Sequence, residues 1–517
     1  MPDTVTLVVD GVTHVVPDDG ASLLDVLRDR IGARSVKDGC APQGQCGCCT
    51  VLVDGQPRVA CVTAAKRVDG RSITTVAGLD DDVQSRWAAA MACTGASQCG
   101  FCTPGIVVRL SALAAQGRAD GRRNVDQALL AHLCRCTGWQ GIRDAVALVV
   151  DGRAVGVGDA ERVASEQRAL LEGGTAQRVG RAVILGDAGF ADDDAPADAL
   201  VALRVEDGRW VVGESVHEAR LLAAKVQGRR STIPLRWPIE VPDGDWARVL
   251  QTTWVEPAYL EPDAACCAPG GEPATPLGNG GAFGAKRATD VGAVARRLAD
   301  EHGRAVRVLY SREDVVRLGP KRPPLAVGLR EDGTGIVHVA RTDGIAAAIA
   351  SIAPGVTVVE VDVIGPPTSA ALRSAGWAEV AIVLASLAPH GPDVVVSPSG
   401  ARATAALTDD GAVLRITVSC GTPLDPVVLR SYCIGAAHQA LGWVRSEAIA
   451  VDDGGEIHDL TIRSFGILRA QEMPEIDVVI EPSDGAPVNG SDAVFAAVAA
   501  AAWRAAGHPA RWPCQRR

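Results

Sequence analysis

The chain has 517 residues, 47% of them hydrophobic, with 62 Asp and Glu against 51 Lys and Arg and a formal net charge of −11. That length predicts about three domains, each able to bury its own core, and the acidic balance argues against a nucleic-acid binder. No apolar run approaches the ~20 residues of a membrane span, and the start, MPDTVTLVVDG, lacks the basic and apolar regions of a secretory leader. The expectation is a cytoplasmic chain, where disulfides are rare, so its 15 cysteines need another role.

Residues 4–10 and 13–17 read as a hairpin turned at Asp10-Gly11, and residues 22–30 as a helix N-capped by Ser22. The segment KDGCAPQGQCGCCTVLVDGQPRVAC follows, and ten of the 15 cysteines lie between Cys40 and Cys136. Its spacing is Cys40-x5-Cys46-x2-Cys49, with Cys61 further on. Three thiols on a glycine-rich loop and a fourth beyond it suit a [2Fe–2S] cluster, which takes four thiolates. Gly39, Gly44 and Gly47 let that loop curl. Cys48 keeps no ligand spacing and reads as a spectator. A zinc knuckle or a group of buried thiols are the alternatives. Residues 49–54 and 57–62 form a second strand pair about Asp54-Gly55, so this part fits a β-grasp ferredoxin fold.

The second group reads SQCGFCTPGIVVRL and then AHLCRCTGWQGIRDAV, giving Cys99-x2-Cys102 and Cys134-x1-Cys136. Thr103-Pro104 reads as a helix start with a capping hydroxyl. Asn124 is expected to cap a further helix with an apolar stripe at Val125, Ala128, Leu129 and Leu133. Two cysteine pairs at helix ends predict a second buried four-thiolate site in a helical bundle, with zinc as the alternative occupant. Residues 157–176 are polar and read as a linker with one helical stretch. The alanine run from Ala493 to Trp503 reads as a buried helix, and His438 as a packed or capping histidine.

GCAPQGQCGCCTV and QCGFCTPG…LCRCTGW resemble the iron–sulfur part of the molybdenum hydroxylases, the xanthine dehydrogenase and aldehyde oxidoreductase family. The resemblance implies an α+β multidomain chain: a ferredoxin-like domain over 1–78, a helical [2Fe–2S] domain over 79–156, the linker, and a shortened molybdopterin-binding domain over 177–517. It implies Cys40, Cys46, Cys49 and Cys61 as ligands of an outer cluster, and Cys99, Cys102, Cys134 and Cys136 as ligands of an inner one. Gln98 matches the glutamine that contacts the pterin in that family. In the later region LGNGGAFGAK resembles the glycine-rich cofactor loop, with Gly280, Gly281, Phe283 and Gly284 as contacts. TSAALRSAGWAE, with Arg373, resembles a loop beside the active site, and APVNGSDAVFAAVAAAAW stands where the family has GVGE and its final helix.

That alignment puts Ser491 at the catalytic glutamate and Asp492 beside it. Serine is no general base at neutral pH without a partner, whereas Asp492 can serve if the loop shifts by one residue. No counterpart of the central GQG-type loop is found, and RSYCIGA around Cys433 lacks the family's glutamine. The resemblance implies molybdenum-centred two-electron oxidation of a small N-heterocycle or aldehyde. Electrons would pass through two [2Fe–2S] clusters to a separate flavoprotein subunit or another acceptor, since no FAD domain is expected in this chain. An oligomer or multi-subunit assembly is expected. The alternative is an electron-transfer and scaffold subunit whose molybdenum domain is degenerate.

Overall fold

In the computed structural model residues 4–153, 162–225, 233–274, 281–287, 289–387 and 394–515 are described. Alternation along the strand Thr4–Val9 buries Val5, Leu7 and Val9, and the chain turns to pair with Val12–Pro17. The turn residues Asp10 and Gly11 take φ of 49° and 84°, the left-handed pair that a two-residue hairpin demands. Asp54 and Gly55 do the same between Thr50–Val53 and Gln56–Val59. Ser72–Thr74 runs parallel to the first strand and antiparallel to Thr50–Val53, which joins both hairpins into one five-stranded sheet. Ser22 caps the helix Leu23–Asp25 as expected, with Asp25 closing a reciprocal capping box, and the helix runs on in π form as Val26–Ile31.

Four helices follow: Asp81–Cys93, Thr103–Ala115, Gly121–Ala128 and Gln140–Val150. Two caps differ from expectation. Thr103 already lies in the first turn and its hydroxyl meets Ser97 Oγ at 3.0 Å, so Pro104 rather than a side-chain cap marks this start. The next helix begins after Asp120, and Asn124 sits inside it, its Nδ2 donating back to the Asp120 carbonyl at 3.0 Å. Gly121, Arg122 and Arg123 carry no apolar residue, so hydrophobic periodicity begins only after the helix does.

The segment read as a linker contains the helix Arg162–Gly173, with Ser165, Arg168, Ala169 and Glu172 buried. Residues 157–161 of that segment lie outside the described residues. Beyond it, among the described residues, stand three four-stranded mixed sheets. Their central strands are Leu200–Arg204 with Val306–Leu309, Gly335–Ala340 with Leu325–Leu329, and Arg402–Leu407 with Val413–Ser419. A long helix, Pro426–Arg445, packs on the last helix, Ser491–Ala505, which holds the buried alanine run. Asp425 caps the long helix, its Oδ1 accepting from the amides of Val427 and Val428 at 2.9 Å. No described helix is long and apolar enough to cross a membrane.

A buried ion-pair network ties the N-terminal part to this later region. Arg28 meets Asp192 at 2.6 Å, Arg307 meets Asp29 at 2.7 Å, and Arg220 spans Asp25 and Asp38 at 2.7 and 2.6 Å. Lys37, fully buried, pairs with Asp193.

Candidate metal centres

The curl of the 39–49 loop brings distant thiols together. The Cys40 sulfur accepts from the backbone amides of Gln45 and Cys46, both at 3.3 Å, and the Cys49 sulfur from the amide of Cys61 at 3.4 Å. Thiol contacts from Cys46 and Cys61 hold Cys40 well below the usual thiol range. Cys61 also touches Cys49, so the four sulfurs form one buried quartet. Cys48 is buried beside them and its thiol points to the Cys46 carbonyl at 3.9 Å.

The second quartet lies where helix ends meet. Cys136 and Cys99 sulfurs stand 3.6 Å apart, and Cys134 contacts Cys102. The hydrogen bond from Cys102, aided by Thr137 at 3.1 Å, brings Cys134 down to about 6. Four thiolates this close would repel one another, and a bound metal cation would offset that repulsion. Leu133 N–H donates to the Cys46 carbonyl at 2.9 Å, so one hydrogen bond links the residue preceding Cys134 to the first quartet. Backbone of the long helix closes the second quartet: a Cβ on Gly435 would lie 1.8 Å from the Cys136 carbonyl oxygen.

The further candidates converge on the same side. Gly281 has φ of 82°, and a Cβ there would sit 3.2 Å from the Cys136 sulfur. Gly284 packs on the Ala371 carbonyl, and the Arg373 amide donates to the Phe283 carbonyl at 3.1 Å. The Arg373 guanidinium lies 3.8 Å from the centre of the Phe283 ring, donates to Ser491 Oγ at 3.1 Å and stands 3.3 Å from Asp492. Phe283, Arg373, Ser491 and Asp492 therefore share one place. Arg373 is buried rather than on the surface, and its Nη1 has no hydrogen-bond partner among the described residues. Burial raises Asp492 to about 6 against the pull of Arg373, with Glu172 adding to the rise. Gln98 donates to the Cys136 carbonyl and to Ser431 Oγ, both at 2.9 Å, while its Oε1 is buried without a partner among the described residues. Gly280 lies outside the described residues.

Residues that the sequence did not single out complete this place. The Glu172 carboxylate accepts from the amides of Gly490 and Ser491 at 3.0 and 2.8 Å, and pairs with Arg168 at 2.9 Å. Arg168 also donates to the carbonyls of Thr422, Pro423 and Val488. The start of the last helix is an anion site, and this chain fills it with its own carboxylate. Arg135, between two candidate ligands, makes a bidentate pair with Glu447 at 2.6 Å. An i,i+4 Arg–Glu pair looks in sequence like an exposed helix pair, so nothing local marked Arg168 and Glu172.

A molybdopterin needs room. The cavity lined by Phe283 and Arg373 measures about 50 Å³, and the one beside Gln98, Gln177 and Tyr432 about 20 Å³. These hold one or a few waters, whereas pockets for organic ligands run to roughly 300–1,000 Å³. Neither of these two cavities holds that group as it stands.

The family described as [2Fe-2S] binding domain matches residues 75–147. The chain is 39% identical over 159 residues to an aldehyde oxidoreductase of Megalodesulfovibrio gigas, a stretch that covers 28% of this chain and 17% of that protein. It is 35% identical over 150 residues to the nicotinate dehydrogenase small FeS subunit of Eubacterium barkeri, which covers 29% of this chain and 95% of that subunit. The solved aldehyde oxidoreductase from Desulfovibrio gigas matches with a TM-score of 0.71 at 15% identity, over 99% of each chain, a likeness of fold.

Proposed function

The chain belongs to the molybdenum hydroxylase family of xanthine dehydrogenases and aldehyde oxidoreductases, and on that premise we propose that it is an electron-relaying oxidoreductase component. In this reading Cys40, Cys46, Cys49 and Cys61 hold an outer [2Fe–2S] cluster within residues 1–78, and Cys99, Cys102, Cys134 and Cys136 an inner one within 79–156. The observation that carries it is the pair of buried thiol quartets joined by the Leu133 to Cys46 hydrogen bond. Bound there, the clusters supply reversible one-electron storage.

The chain's own residues prepare both places. Backbone amides at Gln45, Cys46, Cys61 and Thr137 point at ligand sulfurs and favour their thiolate form. Burial keeps water from the sulfurs. Gln98 and Gly435 fix the Cys136 backbone from two sides. The helix Arg162–Gly173 ties residues 177–517 to this part as a closed scaffold, which holds the long helix against the inner quartet. Electrons leave to a separate flavoprotein subunit or another carrier, within a multi-subunit assembly.

A second reading has a specific observation behind it. The likeness of fold runs through the whole chain, and Phe283, Arg373, Ser491 and Asp492 converge as a molybdenum site of this family would need. That reading is oxidation of an N-heterocycle or aldehyde at molybdenum, with Asp492 as base. The small cavities favour the relay. Metal and pterin analysis of the pure protein separates the two: iron and sulfide without molybdenum or pterin is the relay's result, and one molybdenum per chain would be the other's.

A further inference from the structure

A further cavity lies away from the closed site just described. It measures about 140 Å³ and sits between the loop Gly39–Pro42 and the sheet containing Leu200–Arg204 and Val306–Leu309. Its apolar wall includes Phe101, Phe190, Leu203, Leu309 and Pro262. Phe101 and Phe190 meet edge to face, with ring centres 5.1 Å apart, so aromatic surface is presented rather than flexible aliphatic chains. An apolar cavity of about 150 Å³ accepts a benzene ring, and this one matches it in size although charged side chains share its wall.

One polar group in the wall is incomplete. Glu261 is buried, its Oε2 is paired with Lys286, and its Oε1 has no hydrogen-bond partner among the described residues. Several other charged side chains around the cavity are already paired: Arg28 with Asp192, Arg220 with Asp38, Lys225 with Asp314, and Arg312 with the carbonyls of Gly39, Tyr259 and Leu260. A buried carboxylate oxygen left unpaired is costly, and a ligand hydroxyl would satisfy it.

We propose that this cavity is a binding site for a single six-membered aromatic ring bearing a hydroxyl, a phenol-type ligand whose O–H bonds Glu261 while its ring packs between Phe101, Phe190 and Leu203. The ring size follows from the volume, and the hydroxyl from the unpaired oxygen. A hydroxyl both donates and accepts, so it serves Glu261 in either protonation state, and burial raises this carboxyl to about 7 against the pull of Lys286. The loop that carries Cys40 forms one wall, so an occupant lies beside the outer thiol quartet.

The test is calorimetric titration of the intact, cluster-loaded protein with phenol, and with benzene as the ring without the hydroxyl. The expected result is saturable one-to-one phenol binding, with benzene about tenfold weaker or more, as one hydrogen bond of about 1.4 kcal/mol requires. Ala223→Phe and Leu203→Phe fill the cavity from different walls, and either one, where its circular dichroism shows a folded chain, abolishes phenol binding. Glu261→Leu, which leaves no polar atom for the hydroxyl, brings phenol towards benzene in affinity where the chain is folded. Absence of saturable phenol binding to the wild type, or binding that persists in a folded filling variant, would overturn the proposal.

Discussion

Replacing Glu172 by alanine tests whether the helix Arg162–Gly173 is a structural strut rather than a tether. Arg168 and Glu172 both have fully buried side chains, 2.9 Å apart. The substitution leaves a guanidinium without its counter-ion and two amides at the start of the last helix without their acceptor. Removing one partner of a buried ion pair costs about 3–5 kcal/mol, and each charge-assisted hydrogen bond contributes about 1.5–3 kcal/mol. These overlap, because the same carboxylate makes all of them, and water entering the vacated space offsets part of the loss. The expected destabilisation is therefore about 3–5 kcal/mol. Urea unfolding followed by tryptophan fluorescence reads it, since Trp443 and Trp503 are buried on the two helices that Glu172 helps to join. The paired variant Arg168→Met with Glu172→Leu removes both charges and recovers most of the loss, as buried pairs replaced by apolar groups often do. A loss below about 1 kcal/mol for Glu172→Ala would refute the strut, because no buried pair in a packed site breaks so cheaply.

Three other expectations follow from single contacts. Gly435→Ala puts a methyl group against the Cys136 carbonyl, so it destabilises by about 3 kcal/mol and broadens the electron paramagnetic resonance signal of the inner cluster alone; equal broadening of both signals would contradict the packing. Burial, with Arg135 nearby, holds His438 at about 4. The fold thus disfavours its protonation, and stability, full above pH ~6.5, falls by up to about 3 kcal/mol as pH drops through that value towards 4. His132, buried and held at about 4 as well, titrates over the same range, so in His438→Gln the fall in urea midpoints shrinks by the His438 share without vanishing, and an unchanged profile would reject the assignment. Cys136→Ser halves the iron content and removes one paramagnetic signal while leaving the other; loss of both would mean that the quartets are not independent.

What was legible in the sequence was local. Asp10-Gly11 and Asp54-Gly55 announce hairpins because few residue pairs take positive φ twice in succession. The cysteine quartets were legible because three of four members sit on one short loop in the first, and two tight pairs make the second. The convergence of Phe283, Arg373, Ser491 and Asp492 was legible only through the family resemblance, since more than 200 residues separate the first from the last. Arg168 and Glu172 were not legible, because burial of a polar helix is decided by what packs on it. The displaced helix start at Gly121 has a similar cause: its first turn faces solvent, so no apolar stripe marks it.

Iron determination on the purified chain, together with paramagnetic resonance after dithionite reduction, bears most directly on the central claim. The account predicts about four irons per chain and two distinct signals from reduced [2Fe–2S] clusters. About two irons with a single signal, or zinc in place of iron at either quartet, would contradict it.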